Sequence, residues 1–364
     1  MELSEPYRSS LKAGAASEKK TEKSAALLDQ YIPEFETVIE GELIDWMFVP
    51  SYGRRYKWNR AGARVKRFPL TALQRSVYSK WMNRRAGGGR SYLSTELKTA
   101  EWLALRYAEA LPHDVTRLVV FQDFLPFLWL VGALKDREYE VLLTRPPFTA
   151  IAEKLQTALP KSKAVAEFRV EEALIRAEAE ALEKAERVIT PHEEYAKYFE
   201  NVRIVEWEPP QVVPPAAVRQ PKAFLFPADL VAREGAHAAL AAAEALEIPL
   251  LVVGSNAEGL AVDSDLVMFI KRSEIPWHEI AAVVHPTLFE SWPRLHLYAK
   301  TLGIPVVGTE SIGLSEGEGV HFVPFGDEEE LRKTLERVLA RETDRPFEPR
   351  VRPRSFGDSL NQSS

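Results

Sequence analysis

The stretch HPTLFESWPRLHLYAKTLGIPVVGTESIG, His285 to Gly313, gathers several side chains able to do chemistry. Glu290 offers a carboxylate. Arg294 offers a planar guanidinium that can grip a phosphate through two hydrogen bonds. Tyr298 offers a phenol, which can bond a hydroxyl but lacks a carboxylate's charge-assisted acceptance. His285 and His296 titrate near neutrality and could move a proton. Their positions, one ending an apolar strand and one on a helix, fit packed histidines better. The seven histidines show no metal-ligand spacing, so no metal is expected. Asp263-Ser264-Asp265 spells D-x-D, a spacing that can hold a metal–diphosphate pair, but it precedes a strand and reads as a turn. Gly87–Gly89 lies between Arg84, Arg85 and Arg90, yet no strand precedes it and no G-K-S/T follows. It reads as a flexible basic loop rather than a phosphate cradle.

Charge is unevenly distributed. Residues 47–98 hold thirteen Lys/Arg and one acid, Glu96, in a 364-residue chain whose net charge is −6. Such a block suits an anionic partner. Aromatics interleave with the cations, and Arg54, Arg55, Lys57, Trp58, Trp81, Arg84 and Arg85 are the candidate surface. An anionic membrane surface, an anionic acceptor and single-stranded nucleic acid could each use it. The remaining reading is a solvated face whose aromatics belong to the core. A membrane or lipid-linked acceptor is favoured over nucleic acid. The chain has no cysteine, which excludes disulfides and thiol chemistry and suits a reducing compartment. MELSEPYRSS is too polar for a signal peptide, and the longest apolar run, FLPFLWLVGAL, is too short to span a bilayer. The expected location is cytoplasmic, with peripheral contact to the cytoplasmic membrane face.

These groups must be positioned by elements, and the pattern is strands alternating with helices. Strand candidates are 63–68, 116–121, 139–144, 187–190 and 202–206. After a break come 223–226, 249–254, 265–270, 281–285, 305–308 and 320–323. Several are unbroken Val/Leu/Ile runs, as in parallel strands buried on both faces. Helical composition marks 94–110, 170–186, 234–246 and 327–341. Thr190-Pro191-His192-Glu193 and Asp327-Glu328-Glu329-Glu330 read as helix starts. Residues 206–222 carry five prolines and read as a linker. The expected organisation is a Rossmann-like domain over 1–205, the linker, a second Rossmann-like domain over 223–342, and a tail over 343–364. Residues 1–25 are polar and expected to be partly mobile.

From Glu186 onward the order of motifs resembles GT-B glycosyltransferases, in particular glycosyltransferase family 4. AERVITPHEEYAKYF, AFLFPADLVAREGAHAALAAAEAL, PLLVVGS, AAVVHPTLFESWPRLHLYAKTLGIPVVGTESIGLSE and VHFVPFGDEEELRKTLERVL follow the family's sequence of elements. The resemblance implies an α/β GT-B architecture: two doubly wound domains with a cleft between them. It implies transfer of a hexose from a nucleotide-diphosphate sugar to a glycan or lipid-linked acceptor, with retained configuration, no metal and no cofactor. By it Glu290 would face the donor sugar, while Tyr298 stands where the family has a ribose-binding glutamate. Ser291 belongs to the family's Gly-rich turn, and Ser255 would line the cleft. The family's two phosphate-binding cations fall on Asp229 and Glu234, and Pro293 removes an amide from that turn. Arg294, Lys271 and Arg272 could restore the positive charge, as could Arg233 if the match slips by one residue. The alternative is a catalytically inactive GT-B protein serving as a binding or partner module.

Overall fold

A computed structural model describes residues 23–58, 62–85, 92–158, 170–210, 220–317 and 319–342. The Gly87–Gly89 loop, Arg60 and Arg90 lie outside the described residues. So do the 343–364 tail, most of the 206–222 linker, and the side chains of Arg54, Arg84 and Arg85.

Two parallel sheets form the molecule. The first contains β1 (Lys23–Leu27), β2 (Trp46–Val49), β3 (Arg64–Arg67), β4 (Val115–Phe121), β5 (Glu138–Leu142), β6 (Arg187–Thr190) and β7 (Val202–Ile204). The second contains β8 (Ala223–Phe226), β9 (Leu250–Val252), β10 (Val267–Phe269), β11 (Ile280–His285), β12 (Val306–Gly308) and β13 (Val320–Phe322). Their orders are β3-β2-β1-β4-β5-β6-β7 and β10-β9-β8-β11-β12-β13, with all neighbours parallel. Each order reverses once, between β1 and β4 and between β8 and β11. The carboxyl ends of the strands at such a reversal leave a crevice for ligands.

The helices of the first domain are α1 (Glu36–Gly41), α2 (Pro69–Arg85), α3 (Tyr92–Ala110), α4 (Leu125–Leu130), α5 (Phe148–Ala158), α6 (Glu172–Lys184) and α7 (Glu193–Ala196). Those of the second are α8 (Ala236–Leu246), α9 (Arg294–Thr301) and α10 (Glu328–Glu342). The α10 start is capped as expected, with Asp327 accepting from the Glu330 amide at 2.9 Å. Thr190 differs. It ends β6, its hydroxyl accepts from the His192 amide, and no side chain caps α7.

Two expectations about the first domain change. β1 is an interior strand, between β2 and β4, although KSAAL sits where a mobile polar end was expected; Ala25, Ala26 and Leu27 of this strand and the following Leu28 are fully buried. The aromatics of the basic block also divide. Phe48 and Phe68 stack on each other against the core, where Tyr107 of α3 packs on both. Trp58, expected at the surface, is 2% exposed, packs edge-on against Tyr31 and Phe121, and donates its indole N–H to the Asp29 carbonyl. A ring that size gains more by burial than by interfacial contact. Trp81 stays at the surface. It ends a row on α2, Leu70, Leu73, Val77 and Trp81, whose members are 45–82% exposed.

Arg75 roots α2 to the sheet. Its guanidinium donates to both Asp29 oxygens, at 3.0 and 2.7 Å, and both side chains are largely shielded. Removing one partner strands the other charge. Asp29→Ala is therefore expected to cost about 3 kcal/mol, measured by urea unfolding; a loss within the range of surface substitutions would contradict this account.

Candidate functional site

The reversal point of the second sheet lies between the loops that follow β8 and β11. After β8 the chain makes a single 3-10 turn, Ala232–Glu234, and turns into α8 through Gly235 at φ +76°. A Cβ on Gly235 would sit 2.3 Å from the Pro286 carbonyl oxygen, so only glycine lets the two loops approach this closely. The Arg233 carbonyl accepts from the Leu288 amide at 2.9 Å and fastens them together.

Glu234 fills the space between the loops. It is 6% exposed, bonds His285 Nε2 at 2.9 Å, accepts from the Thr287 hydroxyl at 2.7 Å, and pairs with the Arg233 guanidinium. Burial alone would raise its carboxyl pKa. The Arg233 charge and the bonds from His285 and Thr287 outweigh burial and bring it to about 2. Beyond His285, its Nδ1 lies 3.0 Å from His296 Nε2, and Glu290 Oε2 is 3.8 Å from the same Nδ1. Burial, with the nearby Glu234 charge, raises the Glu290 carboxyl above its ordinary value. Burial also holds His296 well below the usual imidazole range. One carboxylate is thus fixed as an anion while its neighbour is pushed toward the acid form.

The turn carrying Glu290 is held from both domains. Its Oε1 accepts from the Trp292 amide at 2.6 Å. The Tyr195 hydroxyl donates to the Glu290 carbonyl and accepts from the Glu290 amide, at 2.8 and 3.2 Å. His192 is fully buried, stacks on Tyr195 at 4.3 Å and reaches the Ser291 carbonyl. Its ring lies 2.6 Å from where a Cβ on Gly313 would stand, at φ +80°. Lys154 bonds Ser311 and the Leu288 carbonyl and pairs with Glu194, and the Trp207 indole donates to the Gly313 carbonyl at 2.6 Å. Phe148, Ile151 and Leu155 of α5 pack with Leu288 and Phe289.

The other expected donor residues are placed differently from one another. Arg294 is engaged by the first domain: its guanidinium, lying over the Trp292 ring, donates to Glu34 at 2.6 Å and to the Glu208 carbonyl, bridging the second domain to the first. Tyr298 packs its ring on Trp277 at 4.6 Å, in the apolar cluster behind the sheet. Ser255 is held by Asp229, which accepts from its amide and its hydroxyl at 2.6 and 2.9 Å. Lys271 is largely exposed and pairs with Glu274, and Arg272 opens an exposed 3-10 turn. Of these, Glu290 and Ser291 alone share the switch-point turn. The sequence reading missed Glu34, Lys154 and Tyr195, whose partners are far away along the chain. It also read Glu234 only as a lost cation, although its neighbours make it an anchor.

A pH dependence follows from His192. Burial lowers its pKa from 6.5 to about 3. A depressed imidazole contributes stability that is complete above 6.5 and is lost as pH falls through that value. Glu234, titrating between 4.5 and about 2, is silent above pH 5. His192 should therefore cost about 2 kcal/mol between pH 6.5 and 5, at 1.36 kcal/mol per unit. Urea unfolding at both pH values checks this, and His192→Phe should flatten the difference by that amount. An unchanged difference would refute the assignment.

No family model matches the chain, and no curated protein matches it. Solved structures do. The glycosyltransferase WaaG, involved in lipopolysaccharide biosynthesis, is 15% identical with a TM-score of 0.50, over 88% of this chain and 91% of that one. Anabaena HepE, in complex with UDP, is 13% identical over 88% and 90%, with a TM-score of 0.47. TarM is 10% identical with a TM-score of 0.46 over 67% of this chain, which spans about half of TarM's length (52%). At such identities the likeness concerns fold alone. Two parallel α/β domains, each reversing its strand order once, and the match to WaaG across most of both chains give this protein the GT-B glycosyltransferase fold.

Proposed function

We propose that the protein transfers a hexose from a nucleotide-diphosphate sugar to an acceptor held by the first domain, with retained configuration. The observation that carries this reading is the pair of carboxylates at the β8/β11 switch point, Glu234 and Glu290, joined through His285 and pushed in opposite directions from their ordinary pKa values. Neighbouring acids whose environments push their pKa values apart are a mark of working sites. Glu290 retains 21% exposure of its side chain and is the member that can meet a sugar. Arg233, beside Phe289 on the same rim, replaces Arg294 as the cation nearest the leaving diphosphate. In the reaction the acceptor oxygen bonds to the anomeric carbon as the bond to the diphosphate breaks, and the acceptor proton leaves with the diphosphate. A positive charge fixed beside that leaving group supplies the electrostatic stabilisation such transfers need.

Calorimetric titration with UDP-, GDP- and ADP-sugars tests this. Binding is expected for one base class, and Glu290→Gln should lower turnover by roughly 100-fold, as removal of a preorganised polar contact does. Absence of binding at millimolar nucleotide would defeat the reading. A second reading, an inactive GT-B partner module, then takes its place. The Arg294–Glu34 strut favours it, because it spends on domain bridging the residue best suited to a diphosphate.

The partner of the first domain is, in this reading, an anionic membrane carrying a lipid-linked acceptor. The α2 row of exposed Leu70, Leu73, Val77 and Trp81 lies in the basic block, next to Tyr78 and Trp102. Apolar side chains beside cations suit such a surface. No helix among the described residues is long and apolar enough to cross a membrane. Sedimentation with phosphatidylserine vesicles should show association that falls with salt and is lost in Leu73→Glu/Val77→Glu; equal sedimentation of both proteins would refute it.

A further inference from the structure

The two histidines beneath the Glu290 turn have no task in the transfer chemistry. Both are buried, at 0 and 1% exposure. Their facing nitrogens, His285 Nδ1 and His296 Nε2, lie 3.0 Å apart, and Glu290 Oε2 is 3.8 Å from the first. One ligand atom from each of the three residues lies within 4.8 Å of the others. We propose that His285, His296 and Glu290 form a site for one divalent transition-metal ion of the zinc class. The site does not depend on nucleotide-sugar binding and departs from the metal-free chemistry that the family resemblance implies.

The donor set and its surroundings support this. Two neutral imidazoles and one carboxylate are a ligand set for zinc that leaves a fourth position open. The partly exposed Glu290 places that position on the rim of the crevice. Glu234 acts as a positioning residue. As a carboxylate it can only accept, so the His285 proton must sit on Nε2 and the Nδ1 lone pair faces His296. A carboxylate behind a histidine in this way orients metal-binding imidazoles. Glu290 is oriented too, because the Trp292 amide holds Oε1 and leaves Oε2 toward the histidines.

Protons balance. Without an ion, His296 donates from Nε2 to His285, and its buried Nδ1 has no partner. Binding moves that proton to Nδ1, so both facing lone pairs reach the ion and neither imidazole loses a proton; Glu290 binds as the carboxylate, and a proton held on it is released to solvent.

The test uses the untagged full-length chain, stripped with a chelator and dialysed. Zn2+ is titrated by calorimetry, and Co2+ is followed by its visible spectrum. One ion per chain is expected, with Co2+ bands of a four-coordinate site. Glu290→Gln and His296→Asn should weaken binding at least tenfold. Glu234→Gln should weaken it by about 10- to 100-fold and alter the Co2+ bands. Half-buried His278, outside the cluster, serves as the control: His278→Ala should change nothing. Circular dichroism identifies which variants remain folded, and Glu290→Gln, partly exposed, keeps the test decisive if His296→Asn unfolds. Three results would overturn the proposal: no saturable binding at millimolar Zn2+, undiminished binding by folded Glu290→Gln, or loss of binding in His278→Ala.

Discussion

A carboxylate buried between two loops governs the second domain. Glu234 cannot be left unpaired at 6% exposure, because an isolated charge there would cost far more than the fold can supply. Its partners come from both sides of the strand reversal: Arg233 beside it, and His285 and Thr287 after β11. Satisfying Glu234 therefore sets the spacing of the two loops. That spacing in turn demands glycine at 235, orders His285 toward His296, and places Glu290 at the crevice.

The first domain completes the arrangement instead of merely facing it. Tyr195 holds the Glu290 backbone from both its donor and its acceptor side, and His192 supports the next residue. Lys154 and the apolar face of α5 hold the strand-to-helix turn from below. Arg294 and Glu34 close the same seam near the linker. Any movement of one domain against the other must break contacts to the segment carrying Glu290, so domain geometry and site geometry are mechanically coupled.

Much of this was legible along the chain. Runs such as PLLVVG and AAVVH are apolar on successive residues, which only strands covered on both faces tolerate, and they became β9 and β11. β1 was not legible, because Ala25–Leu28 is a short run behind a Lys/Ser-rich stretch, and its burial comes from neighbours β2 and β4, distant in sequence. The aromatics of the basic block show the same limit. Trp58 and Trp81 share a composition, yet one meets Tyr31 and Phe121 while the other lies on the outward row of α2.

The sequence by itself determined the alternation of elements, the split into two parallel sheets, and the position of Glu290 at a strand-to-helix turn. Hydrophobic period and turn chemistry are local, so they can be read locally. The tertiary structure decided what the charged residues do. Arg294 reads as a phosphate ligand until Glu34, distant in the chain, takes its guanidinium. Glu234 reads as a repulsive substitution until His285 and Thr287 surround it. Electrostatic roles follow from burial and from partners brought together by the fold, and neither is a property of the residue alone.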